Sequence, residues 1–141
     1  MACGGRWNAH PHGPPPEPCR ALRLTYVLAC RDTPKLEDTV LDEHMPALPA
    51  WTLNEGRTSL HRRFTARNFT AAIAFFDKVR DVAESEGHHP DLHLTDYRTV
   101  EVVVSTHSVG GLTMLDLILA AKLDEVDVEY SPKWLREREA A

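Results

Sequence analysis

No apolar run in the 141-residue chain approaches the roughly 20 residues that cross a bilayer; Leu22 to Cys30 is too short and is interrupted by Arg23. There is no basic excess either. The formal net charge is −5 at neutral pH, and a general grip on nucleic-acid phosphates needs the opposite sign. Cysteine is scarce: Cys3, Cys19 and Cys30 make an odd count with no regular spacing. That excludes a disulfide framework and a paired-cysteine zinc knuckle, and makes a reducing compartment the simpler setting. What is present, 43% hydrophobic and 26% charged residues, is the balance of a globular domain long enough to bury one core.

The composition changes along the chain. Met1 to Pro18 holds Gly4-Gly5, His10-Pro11-His12-Gly13 and Pro14-Pro15-Pro16, with Glu17 its only acid. Such a segment cannot bury enough surface to offset its ordering entropy. Arg6, Arg20 and Arg23 in an acid-poor stretch give a weak likeness to an organellar leader, without its serines or amphipathic helix. The division expected is an extension over 1–33, a domain over 34–130 and a tail over 131–141. The compartment expected is the cytoplasm, with an organelle as the alternative.

Within the domain, Leu36, Val40, Leu41, Met45 and Leu48 recur at near-helical spacing before Pro46 and Pro49 end the run. Trp51-Thr52-Leu53, the turn Asn54-Glu55-Gly56 and the alternating Ser59 to Thr65 predict a hairpin. Asn68 suits a helix N-cap, and Phe69, Ile73, Phe76, Val79, Arg80, Val82 and Ala83 follow at three and four spacing as a mostly apolar stripe. Gly87 suits the left-handed end. Leu92 and Leu94 flank His93 in a short strand. Tyr97 to Thr106 is rich in β-branched residues, with Val100, Val102 and Val104 on one face. Gly110-Gly111 breaks it, and a last helix runs from Thr113 to about Leu123 with Leu115, Ile118, Leu119 and Leu123 inward. The order of one helix, two strands, one helix, two strands and one helix predicts an α+β fold, with three helices packed on one face of an antiparallel sheet.

The chemistry concentrates in Gly87-His88-His89-Pro90-Asp91, Thr106-His107 and Gly111-Leu112-Thr113-Met114-Leu115-Asp116. Imidazole, with an ordinary pKa of about 6.5, suits proton transfer near neutral pH. The adjacent histidines follow a helix end, so a loop can aim both rings, and Asp91 could fix one tautomer by accepting its N–H. His107 ends the best strand and precedes a Gly-Gly turn, a setting where loops carry functional side chains. Thr113 to Asp116 resembles a capping box, compatible with a second role for Asp116. Glu84 lies on the last helical turn before His88. Three histidines could also hold zinc, but adjacent histidines seldom converge on one ion, so no metal is expected. His10, His12, His44, His61 and His93 lack comparable context.

The spaced set His88-His89-Pro90, Thr106-His107 and Gly111-Leu112-Thr113 with Asp116, together with Trp51, Asn54-Glu55-Gly56, Arg63-Phe64, Phe69 and Phe75-Phe76, resembles the pterin-4a-carbinolamine dehydratase family, over about Leu36 to Val126. Members are also known as the dimerisation cofactor of a homeodomain transcription factor. The resemblance implies a four-stranded antiparallel sheet with helices on one side, assembled as a homodimer or homotetramer. It implies dehydration of 4a-hydroxytetrahydropterin to quinonoid dihydropterin, in recycling of tetrahydrobiopterin, with neither cofactor nor metal. His88, His89 and His107 match its catalytic histidines; Glu84 and Asp116 match its acids, and Asp91 and Thr106 are further candidate substrate contacts. His88 and His107 are expected to move protons and His89 to bind and orient. Which histidine is acid and which is base stays open. Many members carry an aromatic residue, usually Trp, where this chain has Leu92, and the segment from His89 to Tyr97 is one residue longer than in animal members. The Asp-Leu-His-Leu run looks more like plant and bacterial members.

The competing function is a non-catalytic interaction protein on the same fold, a transcriptional coactivator or assembly chaperone. The complete histidine set favours the enzyme. Tyr130 and Trp134 beyond the last helix are read either as packing on the domain or as a partner-docking segment.

Overall fold

A computed structural model of the chain describes residues 33–141. The extension expected over 1–33, with its three cysteines and with His10 and His12, therefore lies almost wholly outside the described residues. The domain is built on a hairpin, β1 (Thr52–Leu53) and β2 (Leu60–Thr65), and a second hairpin, β3 (Asp91–Thr95) and β4 (Thr99–Val104). They join as one antiparallel four-stranded sheet in the order β1-β2-β4-β3. Helices α1 (Asp38–His44), α2 (Phe69–Glu86), α3 (Met114–Asp124) and α4 (Pro132–Glu139) complete it. This is the α+β architecture the patterning predicts, with a fourth helix in the segment set apart as a tail.

Alternation decides which sheet face is covered. Leu60, Phe64, Val100, Val102 and Val104 are buried, while their neighbours His61, Arg63, Thr99, Glu101 and Val103 lie on the open face. Across the covered face α2 contributes Ala72, Phe75, Val79 and Ala83, and α3 contributes Leu117, Leu119, Ala120 and Leu123. Phe64 and Phe75 meet edge to face at 4.9 Å.

Three expectations need correction. First, the long strand starts at Thr99 rather than Tyr97, because Asp96 and Tyr97 take left-handed φ values of 49° and 55° to turn the hairpin. Second, Ile118 is 40% exposed rather than inward. Asp116 at the start of α3 is buried, and helical spacing then turns 119, 120 and 123 inward with it and 118 outward. Third, the buried face of α2 is offset from the stripe read in the sequence: Phe69 and Ile73 are 53% and 40% exposed.

Arg62 shares the covered face with Leu60 and Phe64 and is buried. Its guanidinium caps the C-terminus of α3, donating to the Leu123 carbonyl at 2.9 Å, donates to the Tyr130 hydroxyl at 2.9 Å, and pairs with Asp124 at 3.2 Å. Trp51 Nε1–H donates to the same Asp124 at 2.9 Å. The C-terminal segment therefore belongs to the packed body. The Ser131 N–H donates to the Thr65 carbonyl at 2.9 Å, and the Trp134 ring stacks on Tyr130 at 4.9 Å.

Candidate active site

The site forms where the C-terminus of α2 meets the N-terminus of α3. Asn68 starts α2 by accepting the Ala71 N–H at 2.8 Å, and Gly87 ends it at φ 65°. The left-handed residue turns the chain sharply, so His88 comes off the helix end toward α3. Lys122 of α3 pairs with Glu86 of α2 and ties the two helices beside this turn.

Asp116 is the centre of the arrangement. It is the third residue of α3 and fully buried. Its Oδ2 accepts the Thr113 N–H at 2.8 Å, the Thr106 hydroxyl at 2.7 Å and the Thr113 hydroxyl at 3.3 Å. The first of these is the capping-box bond that the spacing predicts. Its Oδ1 lies 2.5 Å from His88 Nε2. A carboxylate already accepting three donors is an acceptor for the fourth, which puts the imidazole proton on Nε2. His88 Nδ1 is then the ring nitrogen that no protein group bonds among the described residues. The His88 side chain is only 11% exposed, so the ring is held in one orientation at the edge of the core.

The other candidates lie nearer solvent. His89 Nε2 is 2.8 Å from Glu84 Oε1 on the last turn of α2, with both side chains more than half exposed. His107 opens a short 3-10 turn, His107–Val109, immediately after the Thr106 that bonds Asp116. Its ring is exposed and makes no hydrogen bond among the described residues. The turn is closed at its base by the bridge between Thr106 and Gly111.

The structure thus joins His88, Thr106 and Asp116 in one network, adds Thr113, and sets His107 next along the chain from it. Asp91 starts the edge strand β3 and is exposed, and its carboxylate bonds neither ring. The carboxylates that orient imidazoles are Asp116 and Glu84 instead. Thr113 could have been found from the sequence, because a capping box needs its N-cap residue. Of the remaining histidines, His61 and His44 are locally satisfied: His61 Nδ1 meets Glu101 at 3.2 Å and His44 Nδ1 meets the Val40 carbonyl at 2.8 Å. Among the described residues no three His, Cys, Asp or Glu side chains are grouped so as to hold a metal ion, and no helix is long and apolar enough to cross a membrane.

A buried carboxylate orients one imidazole, and a second imidazole stands on the adjoining loop of a small α+β scaffold. The family model described as Pterin 4 alpha carbinolamine dehydratase matches residues 34–126, and the chain belongs to that family. Pterin-4-alpha-carbinolamine dehydratase 2, mitochondrial, from Arabidopsis thaliana is 42% identical over 101 residues, which are 70% of this chain and 54% of that protein. A Chloroflexus aggregans protein provisionally given the same enzyme name is 41% identical over 92 residues, 65% of this chain and 96% of that protein. The chain thus spans about half the length of the plant relative and nearly all of the bacterial one. A crystal structure of a transcriptional coactivator/pterin dehydratase from Brucella melitensis superposes with a TM-score of 0.60 at 32% identity, covering 64% of this chain and 95% of that one.

Proposed function

We propose that this chain dehydrates a 4a-hydroxytetrahydropterin to the quinonoid dihydropterin, with His88 and His107 as the proton-transfer pair. The observation that carries this reading is the 2.5 Å contact between His88 Nε2 and the buried Asp116. Loss of the 4a-hydroxyl as water needs a proton delivered to the leaving oxygen and a proton removed from N5. Two imidazoles can divide those tasks near neutral pH. Asp116 holds the His88 tautomer, and Nδ1 exchanges the proton with substrate. His107, on a loop and free of protein partners among the described residues, serves the other position. His89, oriented by Glu84, binds and orients the pterin, and Asp91 offers a further acceptor at the rim.

Asp116 and Thr106, candidate substrate contacts on the sequence pattern, hold His88 in this reading. Both carboxylate oxygens are already hydrogen-bonded, and both side chains are buried. The test is a stopped-flow assay of 4a-hydroxytetrahydropterin decay with and without the protein. Acceleration that survives chelator treatment supports the reading; decay no faster than the uncatalysed reaction overturns it.

The same reading includes assembly as a homodimer or homotetramer. Phe69, Ile73 and Ile118 are exposed apolar side chains on α2 and α3, and β1 and β3 are the two edges of the sheet. A twofold arrangement would cover such surfaces. Light scattering at micromolar concentration tests it, and a monomer of about 16 kDa there refutes it. A partner-binding role alongside catalysis is supported by the coactivator description of the Brucella relative. For the compartment, the mitochondrial name of the plant relative supports the leader reading of residues 1–33. A reporter fused to those residues tests that.

A further inference from the structure

Gly111 closes the base of the His107 loop. The Thr106 N–H donates to its carbonyl at 2.9 Å, and the Gly110 N–H donates to the His107 carbonyl at 3.1 Å within the loop. The residue that covers Gly111 comes from far away in sequence. A β-carbon built on Gly111 would stand 2.5 Å from Lys35 Cε, 3.0 Å from Cδ and 3.2 Å from Cγ. The methylene stem of Lys35 therefore lies flat across the glycine, in space that any other residue would fill. The backbone of the same segment is tied to the same place: the Leu36 N–H donates to the Leu112 carbonyl at 2.8 Å. Gly110 has a left-handed φ of 61°, but Gly111 does not, so what a side chain at 111 would displace is the Lys35 stem rather than the backbone. Lys35 makes no ion pair among the described residues. Its contribution on this face is the apolar stem, with the ammonium carried out to solvent.

We propose that Lys35 is a positioning residue for His107, acting through its stem on Gly111 to hold the loop from 107 to 110 in one arrangement. The proposal rests on the role given to His107 above. An exposed imidazole with no hydrogen bond of its own takes its placement from the backbone that carries it. That backbone is closed by its own hydrogen bonds, the bridge between Thr106 and Gly111 among them, and the Lys35 stem is the side chain laid across its base. Misplacement of a reacting group by an ångström can cost as much as about a hundredfold in rate.

The test uses the full chain. Lys35→Ala should lower kcat about tenfold with KM changed by less than about twofold, because ground-state binding by the rest of the site is intact. Lys35→Met keeps a stem of similar length without the charge and should restore kcat to within about twofold. Gly111→Ala should match Lys35→Ala, since its methyl group evicts the stem. The double variant should be no slower than either single one, because both changes remove the same contact. Amide hydrogen exchange at Gly110 and Gly111 should quicken in Lys35→Ala and Gly111→Ala but not in Lys35→Met. Wild-type kcat and wild-type exchange in Lys35→Ala would overturn the proposal. So would Lys35→Met as slow as Lys35→Ala, which would transfer the effect to the charge. His107→Ala separates this proposal from the function it rests on. If that variant stays fully active, the role of His107 falls, and the exchange data alone decide whether Lys35 sets the loop.

Discussion

His88, bonded to Asp116, and His107, next along the chain from Thr106, are held under opposite constraints. His88 is enclosed: one ring nitrogen faces a buried carboxylate that also takes two hydroxyls and a backbone amide. His107 is exposed, and no hydrogen bond of its own ring among the described residues holds it; it is carried by the short turn beneath it. The buried histidine is oriented by bonds made during folding, so its geometry and the stability of the domain depend on the same atoms. The exposed one contributes little to stability and is left adjustable. In the proposed acid–base pair one imidazole is preset by its carboxylate and the other keeps its ring free to meet substrate. Perturbing each side should therefore separate activity from stability.

The largest effect is expected from Asp116→Ala, which removes the anchor and leaves the Thr106, Thr113 and His88 donors without their acceptor. Each buried donor left unpaired costs about 1–3 kcal/mol, so urea unfolding should show a loss of several kcal/mol, and activity should fall with it. An Asp116→Ala chain as stable as wild type would contradict the network. Next comes the matched pair. His88→Ala and His107→Ala should each cut turnover by about 10²-fold, at the lower end of what general acid–base residues supply. Only His88→Ala should also lower the thermal midpoint; equal midpoints for the two variants would erase the contrast.

A smaller change is expected at the exposed pair of His89 and Glu84. Exposed ion pairs contribute about 0–1 kcal/mol, so Glu84→Gln should leave stability unaltered and raise KM by a few-fold. A large fall in kcat would move His89 into the proton-transfer set. The smallest effect lies on the open face of the sheet. The hydrogen bond from His61, then that from Arg63, holds the Glu101 carboxyl below its ordinary range, against the opposing effect of burial. Stability from this group is present above the ordinary glutamate pKa of about 4.3 and is lost as pH falls through the lower folded value. Glu101→Gln should therefore flatten the acid limb of the stability curve and leave the neutral plateau and the activity nearly unchanged. An unaltered acid limb would mean that the contact contributes nothing in solution.

Much of this molecule was legible in one dimension because the relevant physics is local. Period-two alternation in Val100, Val102 and Val104 requires one buried face whatever lies above it. Asn68, Gly87 and the Thr113 to Asp116 spacing mark helix ends because capping joins residues three or four apart. The motif histidines were likewise visible as a set, and the family likeness rests on them.

What stayed hidden depends on which surfaces meet. Phe69, Ile73 and Ile118 are apolar at helical spacing, yet helix rotation against the sheet turned them outward. That rotation is decided by how Phe75, Val79 and the buried Asp116 fit the core, which no single segment encodes. Arg62 carries a charge in a strand pattern. Only the folded chain supplies the α3 C-terminus, Tyr130 and Asp124 that make its burial tolerable. Asp91 is two residues from His89 yet bonds neither ring, while Asp116, 28 positions from His88, holds one. The sequence by itself determined the elements, their ends and the chemical groups available, because those follow from neighbours along the chain. The tertiary structure alone decided that Asp116 orients His88 and that His88 is the enclosed histidine, because that contact exists only after α2 and α3 have packed on the same face of the sheet.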